Sequence, residues 1–456
     1  MESGSAYHCI SCQKLYNYAQ LEFSQAKSEH GGNEMKKIIA ILLAVVMLLG
    51  LCACAKTEEP AATTAAPAAD NTPQETAAPE TEAPAVDQTT FEELLEAGKK
   101  NGNKLTIYST HSVAVSAVEA FANKFGIDIN MVEGTQIGDN NQITQVATEV
   151  SSGVSGADVI FIQDGARTVS ELVDEGYVYN WYNQEILDAV GADCEPLLVW
   201  DYCNKVFIYS TDYVAEGEIT NIWYATDPQY AGTVQMKNPE KEGVNMNFLV
   251  MLTSDENAAK LADAYKAYYG TDIVLDSDCP NAGYQWIKMM YQNGAVLGDS
   301  DGDIAKAIGN PEQESDTKWS ALITLNKYIK NRKDSTKNPG SYTLDYVKEM
   351  DPVAGFIYPI YGLITKNADN PELAKAFLVW LFTEEGWMGD GTTTQRDGSV
   401  YKGMSGRFGD YSGNQSLAVA EGDLPVTEWK KILIQEDPIY AAAHRADVED
   451  FIKLIK

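Results

Sequence analysis

Three stretches of this chain hold residue types that can do chemistry. Gly298-Asp299-Ser300-Asp301-Gly302 has the five-position spacing of a nucleophile elbow, with His444 downstream where a triad would place its base. The preceding Ala295-Val296-Leu297 is short for the strand that such an elbow tops, and carboxylates on both sides of Ser300 oppose an alkoxide-like nucleophile. Capping of a helix over 303–308 is the plainer role for Ser300. Asp299, Asp301 and Asp303 alternate as in a calcium loop, but glycine stands at position four rather than six and Asn310 replaces the closing glutamate, so that match fails. Ser109-Thr110-His111-Ser112 offers hydroxyls, an imidazole and backbone N–H groups, a set suited to phosphate or another oxyanion. Gln163-Asp164-Gly165-Ala166-Arg167 offers a carboxylate beside loop amides. For both loops helix capping competes with ligand contact, and both roles stay open. Phosphate-binding, dinucleotide and zinc-protease patterns are absent, and no cofactor is expected. Beyond Cys54 the only histidines are His111 and His444, so no metal site is expected either.

The elements that must position these loops are legible from hydrophobic periodicity. Leu105 and Ile107 alternate with polar neighbours in KLTIY. Val118, Phe121, Ala122 and Phe125 then recur at helical spacing up to Gly126. Ile127, Ile129 and Met131 alternate again, and Ile143, Val146, Ala147 and Val150 form a second helical face before Gly153. DVIFI, 158–162, is a short apolar strand, followed by a helix through Val169, Leu172 and Val173 that stops at Gly176. This βαβαβα order demands a parallel sheet covered by helices on both faces. In such sheets ligands sit beyond the carboxyl ends of the strands, where the Ser109–Ser112 and Gln163–Arg167 loops fall.

Further on, KVFIYS (205–210) is strand-like, and 213–300 carries aromatic-rich loops and longer helices, one near 258–269. GFIYPIYGLIT (355–365) is a second extended segment. A helix follows it, with Asn370 as cap, Pro371 in the first turn, Leu373, Phe377, Trp380 and Leu381 on one face, and Gly386 as the expected stop. Two extended segments bracketing a middle block imply a chain that crosses to a second lobe and returns. No internal repeat is found.

The amino-terminal part reads differently. Met35–Cys54 (MKKIIAILLAVVMLLGLCAC) has the basic start, uncharged apolar run and small-residue end of a secretory leader, too short for a membrane span. Its closing Leu51-Cys52-Ala53-Cys54 resembles the bacterial lipobox, which implies a lipid on Cys54; lipidation of Cys52 would put bulky Leu51 before the cleavage point. Residues 1–34 are expected to be an over-extended reading of the gene. Gly31-Gly32-Asn33-Glu34-Met35 is encodable with a purine-rich ribosome-binding sequence before the Met35 codon. Cys9 and Cys12, half a zinc or redox motif, fall in that extension. Residues 55–90, built from Ala, Pro, Thr and Glu, are expected to be a disordered stalk between lipid and body.

The net charge is −32, and removal of residues 1–53 takes away four basic and four acidic residues and leaves it unchanged. Such a surface repels nucleic acid and anionic membrane. Cys194, Cys203 and Cys279 are an odd set; one disulfide plus a thiol, or three thiols, are both open.

KLTIYST, FANKFGIDINMVEG, ADVIF, LVDEGYV, TDPQYAGTVQMKNP and GFIYPIYGLITKNADNPELAKAFLVWLFTEEGW, in this order, resemble bacterial extracellular solute-binding proteins of ABC importers, in the branch that takes ferric iron, polyamines, thiamine and phosphorylated organic compounds. The resemblance spans most of 100–390. It implies an α/β, two-lobed periplasmic-binding-protein-like (type II) architecture, each lobe a mostly parallel sheet flanked by helices and joined by crossing strands. The lobes would be 91–205 with 351–400 and 206–350 with 401–456. It implies capture of a small polar solute by lobe closure, delivery to a membrane permease, and a lipid-anchored monomer on the extracytoplasmic side that performs no covalent chemistry. Asn245 and Asn247 match the place of second-lobe contacts, with capping as the competing role, and Tyr358 and Tyr361 lie near the returning crossover. The branch's iron binders use a late tyrosine pair; here the adjacent pair is Tyr268-Tyr269, whose helical setting points to packing. A surface-anchored hydrolase using Ser300, and a two-lobed sensor or adhesin, are the alternative readings.

Overall fold

The computed structural model describes residues 86–310, 318–331 and 343–456. The expectations for the leader, for Cys54, for the Cys9–Cys12 pair and for the stalk up to residue 85 lie outside these residues. At the start of the described body, Trp181 Nε1 donates to the Asp87 carboxylate at 3.0 Å and Asn183 Nδ2 to the Thr89 carbonyl at 2.8 Å. Residues 87–89, expected in the stalk, are thus tied to Trp181 and Asn183. Helix α1 (Phe91–Asn101) opens on a reciprocal capping box between Thr90 and Glu93.

β1 (Leu105–Ser109) feeds α2 (Ser112–Phe125), β2 (Val132–Gln136) feeds α3 (Asp139–Ser151), and β3 (Val159–Ile162) feeds α4 (Gly165–Thr168), which runs on through a wider turn over Val169–Val173. β1 pairs in parallel with both β2 and β3. The strand expected over 127–131 starts only after that range, at Val132. Asp128 accepts the Asn130 N–H and winds Ile129–Met131 into a 3-10 turn, so β2 begins at Val132. β4 (Val178–Tyr179) and α5 (Gln184–Val190) lead into β5 (Val199–Ser210), all of whose residues are buried.

The chain then builds a second parallel group from β6 (Val234–Lys237), α6 (Gly243–Leu252), α7 (Asp255–Tyr269), α8 (Ala282–Gln292), β7 (Val296–Gly298), α9 (Asp301–Gly309), β8 (Ser320–Thr324) and α10 (Leu325–Asn331). β6 pairs in parallel with β7 and β8. After β9 (Leu344–Tyr346), β10 (Gly355–Thr365) returns antiparallel to β5, from Gly355 opposite Val206 to Tyr361 opposite Val199. The strand order is β2-β1-β3-β10-β5-β8-β6-β7. Two parallel groups thus flank one antiparallel pair, which is the two-lobed architecture with crossing strands.

α11 (Pro371–Leu381) starts where expected, with Asn370 accepting the Leu373 N–H. It stops at Phe382, because Thr383 caps a separate helix α12 (Glu384–Met388) that contains Gly386. Gly386 is therefore not the stop. A methyl there would meet the Trp380 carbonyl at 2.0 Å. Aromatic contacts from Phe121 to Phe377 and Trp380, and from Phe161 to Trp200, fill the first half's core. Each such ring contributes roughly 2 kcal/mol on burial. β11 (Asp410–Ser412) adds to β5, α13 (Val426–Ile432) and β12 (Ile434–Gln435) follow, and α14 (Pro438–Ile455) packs on both α4 and α6. Cys194, Cys203 and Cys279 are buried thiols without disulfides. Among the described residues no helix is long and apolar enough to cross a membrane.

Candidate functional site

Side chains alternate along a strand, so Asp201, Cys203 and Lys205 share one face of β5. All three are buried, in the crossing strand at the centre of the sheet. Cys203 lies opposite Tyr358 on β10 and Asp410 on β11, and Lys205 lies opposite Thr324 on β8. Charge in such a place is costly unless it is paired, and loops from both halves supply the partners.

At the Lys205 end the partners come from the second half. Lys205 Nζ donates to Glu242 Oε2 at 2.5 Å and to Asn245 Oδ1 at 2.8 Å, and lies 3.6 Å from Asp301 Oδ2. Lys237 Nζ holds the other Glu242 oxygen at 2.8 Å. Burial opposes ionisation of Glu242, but the two ammonium groups outweigh it and hold its carboxyl below the usual range. For Asp301 burial prevails over Lys205 and the carboxyl is raised. Asp301 Oδ1 has no hydrogen-bond partner.

A second cluster joins the loop after β3 to α6 and α14. Arg445 Nη1 sits 2.9 Å from both oxygens of Asp164, and Asn247 Nδ2 donates to Asp164 Oδ1 at 3.2 Å and to Glu436 Oε2 at 3.3 Å. Tyr361 donates to Glu436 Oε1 at 3.3 Å. Burial first, then the neighbouring Asp164 charge, pushes Glu436 up to about 8. Burial pushes Asp139, at the start of α3, up to about 7, with Asp164 and Glu242 adding to it. Glycine is required at two contacts here. A methyl on Gly165 would fall 2.0 Å from Glu436 Oε1, and one on Gly243 would fall 1.7 Å from Asp164 Oδ2.

The third cluster closes the Asp201 end. His111 caps α2, its Nδ1 accepting the Val113 N–H at 3.3 Å. Its Nε2 lies 2.9 Å from Arg407 Nη2 and 3.7 Å from Asp410 Oδ1, and Arg407 Nε donates to Asp410 Oδ2 at 3.1 Å. Burial and the Asp410 charge raise Asp201 well above the ordinary carboxylate range.

The structure gathers Asp164, Gly165, Asn247 and Tyr361 into one cluster and puts Asn245 on Lys205. Asn245 and Asn247 are not caps: α6 starts at Gly243, and both lie inside it, fully buried. Ser109 Oγ accepts the His111 N–H and donates to the His111 carbonyl, both at 2.9 Å, which fixes the loop. Thr110 Oγ1 is buried without a partner, and Ser112 is exposed at the start of α2. Tyr358 is buried opposite Cys203, and burial raises its phenol well above the usual value. Tyr268 and Tyr269 donate to or share hydrogen bonds with Asp227 and Thr226 at 3.0 and 2.9 Å, a packing role. Ser300 Oγ accepts the Asp303 N–H and caps α9, while Asp299 pairs with Lys241. Sequence reading missed Asp201, Cys203, Lys205, Glu242, Arg407, Asp410, Glu436 and Arg445. The available signal was Trp200-Asp201-Tyr202-Cys203-Asn204-Lys205 running into VFIYS, polar groups inside a strand that has neighbours on both sides.

No family model and no curated protein matches the chain. Solved structures do match in fold. Iron-bound HitA from Pseudomonas aeruginosa is 16% identical with a TM-score of 0.55, covering 77% of this chain and 99% of that one. The ferric binding protein from Campylobacter jejuni is 14% identical with a TM-score of 0.55, over 77% and 99% of the two chains. AfuA from Actinobacillus pleuropneumoniae, solved with fructose-6-phosphate, is 16% identical with a TM-score of 0.53, over 77% and 98%.

Proposed function

We propose that the chain is the solute-binding component of an ABC importer, capturing a small polar solute between two lobes and passing it unchanged to a membrane permease. The observation that carries this reading is the end-to-end match of a two-lobed, crossing-strand fold to binding proteins whose own chains are covered almost completely. The paired polar row on β5, reached by loops from both halves, is where the solute would be held. Residues 91–205 with 351–400 form the first lobe and 206–350 with 401–456 the second, with α14 spanning them. The solute is ferric iron, a polyamine, or a phosphorylated or other oxyanionic organic compound. Lipid attachment at Cys54, an extracytoplasmic location and a monomeric state complete the reading. No covalent step is assigned, in keeping with the capping role of Ser300.

Thermal-shift titration of the full chain against ferric citrate, spermidine, thiamine and fructose-6-phosphate tests this. A solute that binds only the folded state raises the melting temperature as its concentration passes the dissociation constant. Saturable stabilisation by one of these is expected; a flat response to all four would overturn the assignment.

A further inference from the structure

We propose that the carboxy-terminal helix α14 is a strap fixed to the second lobe, and that its Arg445 clasps Asp164 of the first lobe, holding the two lobes closed before any solute arrives. The inference rests on the two-lobe reading above and adds what keeps the lobes together.

The far half of α14 is anchored by apolar and aromatic contact to the second lobe. The Phe451 ring meets Tyr284 of α8 edge-on, 5.0 Å between centroids, and Val448 and Ile452 of the same helix are fully buried. The terminal Lys456 donates to Glu240 Oε2 at 2.7 Å and lies 5.6 Å from the centre of the Tyr291 ring. Parting α14 from α8 would return this apolar surface to water, so the helix moves with the second lobe.

The contact with the first lobe is of another kind, a charged pair at the end of β3. Arg445 Nη1 stands 2.9 Å from both Asp164 oxygens. Its Nε is held at 2.7 Å by Glu449, one turn on, which aims the guanidinium. α4 carries a cation of its own, but Arg167 turns to Glu171, with Nη2 3.0 Å from Oε2. The counter-charge for Asp164, whose side chain is wholly buried, therefore comes from α14. The fit is made only with the lobes shut. Asp164 lies against Gly243 of α6, and Gly165 against Glu436 and Pro438, too close for a methyl on either glycine.

A buried pair of this kind is a reversible fastening. With the lobes closed each charge is compensated by the other; with the lobes open each is compensated by water. Removing Arg445 leaves the Asp164 carboxylate buried alone in the closed form, and opening, which hydrates it, becomes favoured. The solute-free chain is then closed in large part, and a solute enters through the minority open form.

The test measures lobe separation without solute. The full chain, with Cys9, Cys12, Cys52 and Cys54 each replaced by Ser, carries spin labels at Lys100→Cys in α1 and Lys260→Cys in α7, both exposed positions. The three remaining native thiols are buried. Double electron–electron resonance should give mainly the label separation of the closed structure. Arg445→Gln should raise the open-to-closed ratio at least tenfold, and Arg445→Lys, which keeps the charge, should raise it less. Asp164→Asn, which still offers α4 a capping oxygen, should raise the ratio by less than Arg445→Gln, because Arg445 keeps Glu449. The two changes together should open the chain less than Arg445→Gln alone, since no unpaired charge is then buried. Thermal melts establish that each variant folds; should Arg445→Gln not fold, Asp164→Asn and Arg445→Lys carry the test against the parent. A parent chain that stands open without solute, a ratio unchanged in every variant that folds, or a double variant more open than Arg445→Gln would overturn the clasp. If ferric citrate or spermidine raises the melting temperature of a parent whose lobes stand open, the clasp fails and the solute-binding reading stands. If the lobes are clasped but none of ferric citrate, spermidine, thiamine and fructose-6-phosphate raises the melting temperature, that reading fails and the clasp stands.

Discussion

Lys205 holds an ammonium in a place that is otherwise sheet core, and three carboxylate or amide oxygens converge on it. Replacing it by Met removes the cation but leaves Glu242 and Asp301 buried, with Lys237 as the remaining counter-charge. Loss of one member of a buried pair costs about 3–5 kcal/mol. Urea denaturation of Lys205→Met should show a loss of that order. Adding Glu242→Gln should restore part of it, and a loss under about 1 kcal/mol would show that the pair is solvated rather than buried. Glu436 behaves oppositely with pH. Its carboxyl is raised from 4.5 to about 8 in the folded chain, so between these values the folded state holds a proton that the unfolded state has released. The stability it contributes is complete below pH 4.5 and is lost as pH rises to about 8, by up to about 1.4 kcal/mol per unit. Denaturation midpoints from pH 5 to 8 should fall less steeply in Glu436→Gln. The slope that remains belongs in part to Asp139, raised to about 7 with the same sign. An identical slope in variant and parent would show that Glu436 ionises normally.

At the scale of elements, helix starts were the most legible part of the sequence. Asn370 with Pro371 marked α11, and Ser300 marked the start of α9, because capping is a local matter of one side chain and the next few N–H groups. Ser300→Ala should therefore cost about 1 kcal/mol in a chemical melt and leave solute affinity unchanged. A variant that keeps its stability but loses a hydrolytic activity present in the parent would reverse the assignment. Gly243→Ala tests the other kind of contact. A methyl 1.7 Å from Asp164 Oδ2 cannot be placed without parting α6 from the loop after β3, so solute affinity should drop at least tenfold. Unchanged affinity would mean that this contact is not part of the bound form. Contacts of this kind were not legible. Gly243, Glu436 and Arg445 gain their meaning from a helix and a loop far apart in sequence. Half of β5 was invisible for a related reason: the polar Asp201 and Asn204 break the apolar run that marks a buried strand in 199–204. The parallel βαβ order was legible, since alternation and helical spacing within a dozen residues suffice for it.

The whole molecule adds a long-range field to these local arrangements. The chain carries a net charge of −32. The four helix starts at Asp139, Gly165, Gly243 and Asp301 each have a carboxylate at the cap or in the first turn, which offsets the positive end of the helix dipole that would otherwise favour an anion. Both facts favour a cationic solute, whose approach is accelerated by the field and slowed when salt screens it. Screening extends over about 8 Å at physiological ionic strength and about 30 Å at 10 mM. Stopped-flow association of the bound solute should accelerate about tenfold or more from 150 mM to 10 mM salt, with little change in dissociation rate. Slower association at low salt would mark the solute as an anion, and the unpartnered Thr110 hydroxyl beside His111 would then become the first contact to mutate.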